Sequence, residues 1–128
     1  MDFLLRGNHP VLATLRDQFA VAIVKEPDFT GVGFFIHFVV PTTAVRLERD
    51  RLLLGDVHAD LQGLQHGAGF LLFIEEGAIS ILECFTYEEP WPANAQLSRL
   101  YYLHPERPGS GSLVEVSDRD LDWALRRR

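Results

Sequence analysis

Two apolar runs in the middle of the chain, residues 69–74 and 78–85, are separated by Glu75-Glu76-Gly77. Glycine tolerates the positive φ that closes a tight turn between antiparallel strands, so this pattern predicts a β-hairpin. Both parities of the two runs are apolar, and we therefore expect the hairpin to lie at the centre of a sheet. Replacing Phe73 or Ile81 by alanine is then expected to cost about 2–5 kcal/mol through lost burial and cavity formation.

Further strands are predicted on both sides of this hairpin. Residues 34–40 are almost entirely apolar and end at Pro41, which cannot continue a ladder. Shorter candidates are residues 20–25, 45–48, 52–54, 56–61, 98–104 and 113–116. Gly55 allows a bulge through which residues 52–54 continue into residues 56–61.

Helical patterns are confined to the two ends of the chain. Asn8-His9-Pro10 is typical of a helix start, and it is followed at helical spacing by Leu12, Leu15 and Phe19. We expect this helix to span residues 10–19, with the polar residues 16–18 on its other side. Residues 117–120 resemble a capping box and predict a short terminal helix. The chain is thus expected to form one α+β domain over residues 1–128, with a mostly antiparallel sheet of roughly five to seven strands, an N-terminal helix and a short C-terminal helix.

Composition narrows the classes of partner. The net charge of −6 repels phosphate backbones, so nucleic acid is not expected as a partner. No apolar stretch approaches the roughly 20 residues that span a bilayer, and the first residues lack the pattern of a signal peptide. The single Cys84 cannot form an intrachain disulfide, which fits a reducing compartment. We expect an acidic cytoplasmic protein with no cofactor and no membrane partner.

The sharpest candidate site is the alternating set Asp56, His58 and Asp60. Side chains two apart on a strand point the same way, so one imidazole and two carboxylates would share a face. Together with His66 or His37 from elsewhere in the chain, they could hold a divalent metal. The alternative is an ordinary amphipathic strand whose polar face meets water.

A second candidate is Glu83, which has the same strand parity as Ile81 and Phe85. If that face is buried, the carboxylate must be paired, hydrogen-bonded or protonated, and a protonated acid would be a catalytic candidate. The alternative is a glutamate that reaches water. The neighbouring Cys84 is expected to be a small core residue.

The chain leaves the hairpin through Glu88-Glu89-Pro90-Trp91-Pro92. Trp91 and the adjacent pair Tyr101-Tyr102 could form an exposed aromatic anchor for a protein partner. The alternative is that Trp91 packs over the sheet edge. Glu88 and Glu89 are expected in a solvated loop.

Four segments carry a resemblance that covers about residues 10–104. They are FTGVGFF (29–35), GDVHAD (55–60), HGAGF (66–70) and YEEPWP (87–92), and together they resemble a family of small uncharacterised bacterial proteins. That resemblance implies no known activity, so no catalytic role comes from it. Bacterial proteins of this size and acidity are often similar to toxin-neutralising immunity proteins, an association that rests on analogy alone.

These observations leave two hypotheses for function. The first is a non-enzymatic, cytoplasmic protein-binding domain, with an immunity-type inhibitor of a basic toxin as its most concrete form. Its binding surface would comprise Asp56, His58, Asp60, Glu88, Glu89 and Trp91. The alternative is a small metal-dependent hydrolase with Asp56, His58 and Asp60 as ligands and Glu83 as general base.

The apolar surface also bears on assembly. Residues 34–40 and the hairpin are apolar on both parities, which is more area than two modest helices can cover. A symmetric homodimer would cover the remaining face. The alternative is a monomer in which residues 88–112 fold over it.

Overall fold

The described part of the chain folds into one antiparallel sheet of nine strands with an N-terminal and a short C-terminal helix, which confirms the α+β prediction. A computed structural model describes residues 1–126. The helices are α1 (Pro10–Val21) and α2 (Leu121–Ala124). The strands are β1 (Ile23–Val24), β2 (Asp28–Phe29), β3 (Gly33–Val39), β4 (Leu52–Leu54), β5 (Val57–Leu61), β6 (Ala68–Glu75), β7 (Ala78–Thr86), β8 (Leu97–Pro105) and β9 (Leu113–Val116). Within residues 1–126, neither helix has the length and apolar character needed to cross a membrane.

The predicted hairpin, β6 and β7, occupies the middle of the sheet. The strand order is β1-β3-β7-β6-β5-β8-β9, with β2 also paired to β3 and β4 to β6. At the turn, Glu76 and Gly77 both have positive φ, 53° and 74°, as a two-residue hairpin turn requires. A side chain at Gly77 would also place its Cβ 2.5 Å from the backbone oxygen of Leu47. The turn therefore needs glycine for both its conformation and its contacts.

A one-residue bulge joins β4 to β5. Leu54 pairs with Leu72, whereas His58 pairs with Gly69, so the register shifts by one residue between them. An extra residue reverses the alternation of side chains along a strand. Asp56 consequently keeps the parity of Leu54, while the residues from Val57 onward follow the reversed parity. The predicted continuation past Gly55 through a bulge is confirmed.

One face of the sheet, called the core face below, is covered by the helices and the N-terminal segment. Leu12 and Leu15 of α1 are fully buried, and Phe19 packs edge-to-face on Phe38 with ring centroids 6.1 Å apart. The sheet contributes Leu72 and Leu82, among others, to this cluster. The expected packing of the N-terminal helix on one sheet face is confirmed.

The opposite face, called the outer face below, carries the alternate side chains of the same strands. Its apolar members, half-buried and outside the main hydrophobic cluster, are Phe35, Leu53, Leu71, Phe73, Ile81 and Phe85. The expectation that Phe73 and Ile81 lie in the core is wrong. Strand alternation places Leu72 and Leu82 there instead.

Two strand boundaries differ from the prediction. Helix α1 continues to Val21, and the strand predicted over residues 20–25 is reduced to Ile23–Val24 because Pro27 follows closely. Residues 45–48 form a loop that binds the hairpin turn, with the Leu47 amide donating to the Gly77 carbonyl at 2.9 Å.

Gln18 and the start of α2 also differ from the prediction. Gln18 is fully buried, and its amide nitrogen donates to the carbonyls of Val45 and Gly77, both at 2.9 Å. It therefore ties α1 to the hairpin turn. Helix α2 is capped by Asp120, not by residue 117, because the Asp120 carboxylate accepts a hydrogen bond from the Trp123 amide at 3.1 Å.

Candidate functional site

The structure separates Asp56 from the other two residues of the alternating set. Both carboxylate oxygens of Asp56 accept hydrogen bonds from Arg119, at 2.8 and 2.8 Å, and the two side chains are only 1% and 6% exposed. Arg119 also donates to the carbonyls of Leu4 and Arg6 at 2.8 and 2.9 Å. Its guanidinium carbon lies 4.9 Å from the centroid of the Tyr102 ring. Asp56 therefore anchors the two chain ends to the sheet.

This arrangement changes the metal hypothesis. The prediction that Asp56, His58 and Asp60 share one face is wrong for Asp56, because the bulge places its side chain on the core face while His58 lies on the outer face. The proposed ligand set is thus not assembled. In the part of the chain that the structure describes, no three His, Cys, Asp or Glu side chains are grouped so as to hold a metal ion.

On the outer face, His58 lies between two tyrosines. Its Nδ1 is 2.6 Å from the Tyr101 hydroxyl and its Nε2 is 3.1 Å from the Tyr87 hydroxyl. His58 pairs with Tyr101 between β5 and β8, and it pairs with Gly69 between β5 and β6. A Cβ at Gly69 would lie 3.0 Å from the Tyr87 hydroxyl, so this glycine leaves room for the tyrosine.

Asp60 extends the same network towards the sheet edge. Its carboxylate accepts from the Tyr101 hydroxyl at 3.3 Å and from Arg99 Nε at 3.2 Å. Arg99 makes two further bonds of 2.7 Å to Glu115 and lies 4.4 Å over the Tyr101 ring. All three charged side chains are about half exposed, at 49%, 49% and 46%. Charge and hydrogen bonding thus fix Tyr101, and through it His58.

The protonation states follow from burial and charge. Burial lowers the pKa of His58, although the charge of Asp60 opposes that shift, so the imidazole is neutral at pH 7. Burial raises the pKa of Tyr87 and of Tyr101, which keeps both hydroxyls protonated. Arg99 lowers the pKa of Glu115 by hydrogen bonding and keeps it ionised.

These states give the network one direction. Because the Asp60 carboxylate only accepts, the Tyr101 hydroxyl donates to it, and the Tyr101 oxygen accepts from His58 Nδ1–H. His58 Nε2 then accepts from the Tyr87 hydroxyl. The network can therefore orient these rings. The Tyr87 hydroxyl has already donated its hydrogen to His58, but its oxygen can still accept a hydrogen bond.

The network borders a cleft of about 600 Å³ in the outer face. Its lining residues are His58, His66, Tyr87, Tyr101, Leu103, Leu113 and Glu115. The structure thus brings the predicted His58 and His66 to one cleft, with Asp60 behind it. Sequence reasoning did not assign Tyr87, Tyr101, Arg99 or Glu115 to this site. One signal in the sequence was available. Arg99 and Tyr101 are two positions apart, as are His58 and Asp60, so pairing of these two strands would place all four side chains on one face.

Glu89 supports the loop that carries His66. Its carboxylate accepts from the backbone amides of Gln65 and His66, both at 2.9 Å, and these bonds lower the pKa of Glu89. Glu88 is exposed, with a φ of 64°. Glu89 is therefore already engaged within the chain, whereas Glu88 faces solvent.

Trp91 lies on the other side of the sheet from His58. Its ring is perpendicular to that of Phe34 at 5.5 Å, and Phe34 pairs with the buried Cys84. The Trp91 amide donates to the Gly31 carbonyl at 2.7 Å. The six residues predicted to form one binding surface are therefore divided between two faces.

Glu83 is central on the outer face. It pairs with Phe35 on one side and Leu71 on the other, and it is half-buried. Within residues 1–126 its carboxylate makes no hydrogen bond or ion pair. Burial, with a contribution from Glu83, raises the pKa of the buried Cys84 to about 12, so the adjacent thiol is not a nucleophile for it to activate.

No known family model, curated protein or solved structure matches this chain. The resemblance to a family of small bacterial proteins therefore stays a prediction.

Proposed function

We propose that this chain is a non-enzymatic protein-binding domain that binds its partner through the outer face of the sheet. The observation that carries the proposal is the row of half-buried apolar side chains around Glu83, outside the main hydrophobic cluster, which includes Phe35, Leu71, Phe73 and Ile81. Contiguous apolar patches on a folded domain usually mark an interface. The alternative hydrolase has lost its ligand set with the reassignment of Asp56.

Exposed apolar side chains also lie at both edges of the sheet, and the polar network around His58 separates those at the β9 edge from the hairpin. Ile23 and Val39, which pair across β1 and β3, are 57% and 46% exposed, and Leu113 at the far edge is 44% exposed. Burying such area contributes about 25 cal/mol for each Å² removed from water. A partner that covers this face could therefore gain several kcal/mol before any polar contact is counted.

Charge indicates the kind of partner. A carboxylate at the centre of an apolar interface is costly to bury without a cation, and Glu83 has none within the described chain. The net charge of −6 further favours a basic partner, whereas a second copy would add more negative charge. An immunity-type inhibitor of a basic toxin, acting in the cytoplasm, is the most concrete form of this proposal.

The test is binding to the products of the genes adjacent to that of this protein. The purified chain is titrated with each product by calorimetry, together with Val39→Glu and Phe73→Glu on the outer face. Each substitution should weaken binding at least about tenfold by placing a charge in the interface. Val45→Glu is the matched control, because Val45 is 76% exposed in a loop away from this face.

Two outcomes would count against the proposal. Equal binding by Val39→Glu, Phe73→Glu and Val45→Glu would remove the outer face from the interface. A stable homodimer in sedimentation that Phe73→Glu dissociates would show that a second copy covers the face and that no basic partner is needed.

A further inference from the structure

Apart from the ring N–H of His66, the polar side chains that line the cleft beside His58 can accept hydrogen bonds from a ligand and have already donated their own hydrogens. We infer that it binds a guanidinium group, namely the side chain of an arginine on the partner that covers the outer face. This inference rests on the proposed function for the source of the arginine. The assignment of a guanidinium as the bound group rests on the geometry of the cleft alone.

The hydrogen-bond directions supply the first argument. The Tyr87 hydroxyl hydrogen is donated to His58, and the Tyr101 hydroxyl hydrogen is donated to Asp60. His58 Nδ1–H is donated to Tyr101. The Tyr87 oxygen, on a residue that is 42% exposed, is left to accept from a ligand.

Charge supplies the second argument. Asp60 and Glu115 carry two negative charges, and Arg99, which contacts both, carries one positive charge. The group therefore has a net negative charge beside the cleft. Arg99 directs its donors at these carboxylates, so an anionic ligand would find repulsion and few donors there.

Ring geometry supplies the third argument. The His58 ring lies 5.3 Å from that of Tyr87 and 5.2 Å from that of Tyr101, and all three rings line the cleft. Arg99 already covers one face of the Tyr101 ring, so a ligand cation would stack on the exposed Tyr87 ring. Flat cations stack on such rings, and guanidinium does so more readily than ammonium. Guanidinium also carries several N–H donors, which the acceptor atoms of this cleft require. A quaternary ammonium would satisfy the rings and leave the Tyr87 oxygen unpaired.

The test is a titration of the isotope-labelled chain, followed by NMR, with three small probes. N-acetylarginine amide should shift the signals of residues 58, 66, 87 and 101, whereas tetramethylammonium and inorganic phosphate should not. Tyr87→Phe keeps the ring and removes the acceptor, and it should weaken binding of the arginine probe about tenfold. Glu115→Gln should weaken it several-fold, and Glu106→Gln, the same change at an exposed site outside the cleft lining, should leave it unchanged.

Each opposing result overturns a defined part of the inference. Equal binding of tetramethylammonium would show that the rings alone select the ligand, and binding of phosphate or no binding of the arginine probe would overturn the guanidinium assignment. These results would leave the proposed function standing, because the titration needs no partner. If the arginine probe binds but Tyr87→Phe does not weaken the complex with the neighbour-encoded product, the ligand is a free guanidinium compound and the partner's arginine is ruled out.

Discussion

Two aspartates only four positions apart each bind an arginine, but they do so on opposite faces of the sheet. Asp56 holds Arg119 on the core face, where the side chains are 1% and 6% exposed. Asp60 holds Arg99 on the outer face, where both are 49% exposed. An aspartate–arginine pair thus occurs once in a buried and once in a solvent-exposed environment, although the two aspartates are close in sequence.

The difference between the two pairs is mainly one of surroundings. Arg119 also binds the backbone of the N-terminal segment and stacks on Tyr102, so every donor direction serves the fold. Arg99 is shared between two exposed carboxylates and leaves the cleft beside His58 open. A buried pair is costly to break, whereas an exposed pair contributes little to stability and remains accessible to a ligand.

The largest expected effect comes from breaking the buried pair. Arg119→Met leaves the Asp56 carboxylate buried without a partner, and it should lower the free energy of unfolding by about 3–5 kcal/mol. Arg99→Met is the matched control on the outer face and should cause a clearly smaller loss. Urea unfolding of both variants checks this, and equal losses would remove the distinction between the two faces.

Apolar side chains on neighbouring positions sharpen the same comparison. Leu72 is fully buried on the core face, and Leu72→Ala should cost about 2–5 kcal/mol by leaving a cavity. Phe73 is half-buried on the outer face, and Phe73→Ala should cost less than about 2 kcal/mol despite the larger side chain. Thermal and urea unfolding measure both. If Phe73→Ala proves the more destabilising, the outer face is already covered within the chain.

The dependence of stability on pH is a smaller effect and belongs to the outer face. Because burial lowers the pKa of His58 below its ordinary value of 6.5, the unfolded chain binds a proton more readily than the folded chain. Stability should therefore fall as pH decreases from about 7 through 6.5 towards the lowered pKa, and it should level off below it. His58→Gln should lack this component. Unfolding curves at a series of pH values compare the two, and identical slopes would contradict the assigned burial.

The smallest effect concerns the coupling of Asp60 to His58. The charge of Asp60 raises the pKa of His58 against the larger effect of burial, so Asp60→Asn should lower that pKa further. The exposed Asp118→Asn is a control with the same change of charge. NMR titration of the His58 ring measures the shift. An unchanged titration in Asp60→Asn would show that the charge of Asp60 does not act on the His58 ring.

Much of the fold follows from local pattern. Signals within a few neighbouring residues were enough to predict three elements: the turn at Gly77, the strand over residues 33–39 and the helix that contains Leu12 and Leu15. The strand register could not be predicted from local pattern. One extra residue near Asp56 reverses the alternation of side chains, so the Asp56 carboxylate lies on the core face and His58 on the outer face. That carboxylate is then bound by Arg119, 63 positions away, which local pattern does not reveal.

The site was only partly predictable for the same reason. His58 and Asp60 were recognisable from their alternation, but their partners come from β8 and β9, and the pairing β5-β8-β9 depends on the whole sheet. Gly69 leaves space there for the ring of Phe85 and the hydroxyl of Tyr87. The strand order determines which side chains meet, and no single segment of the sequence contains it.

The central claim is that the outer face is open in the free chain and covered in the complex. Carbene footprinting read by mass spectrometry tests it directly, on the free chain and on its complex with the neighbour-encoded product. We predict that Leu71, Phe73 and Ile81 are labelled in the free chain and protected in the complex, while Leu72 and Leu82 are unlabelled in both. Unlabelled outer-face residues in the free chain, or labelling that the partner leaves unchanged, would contradict the account.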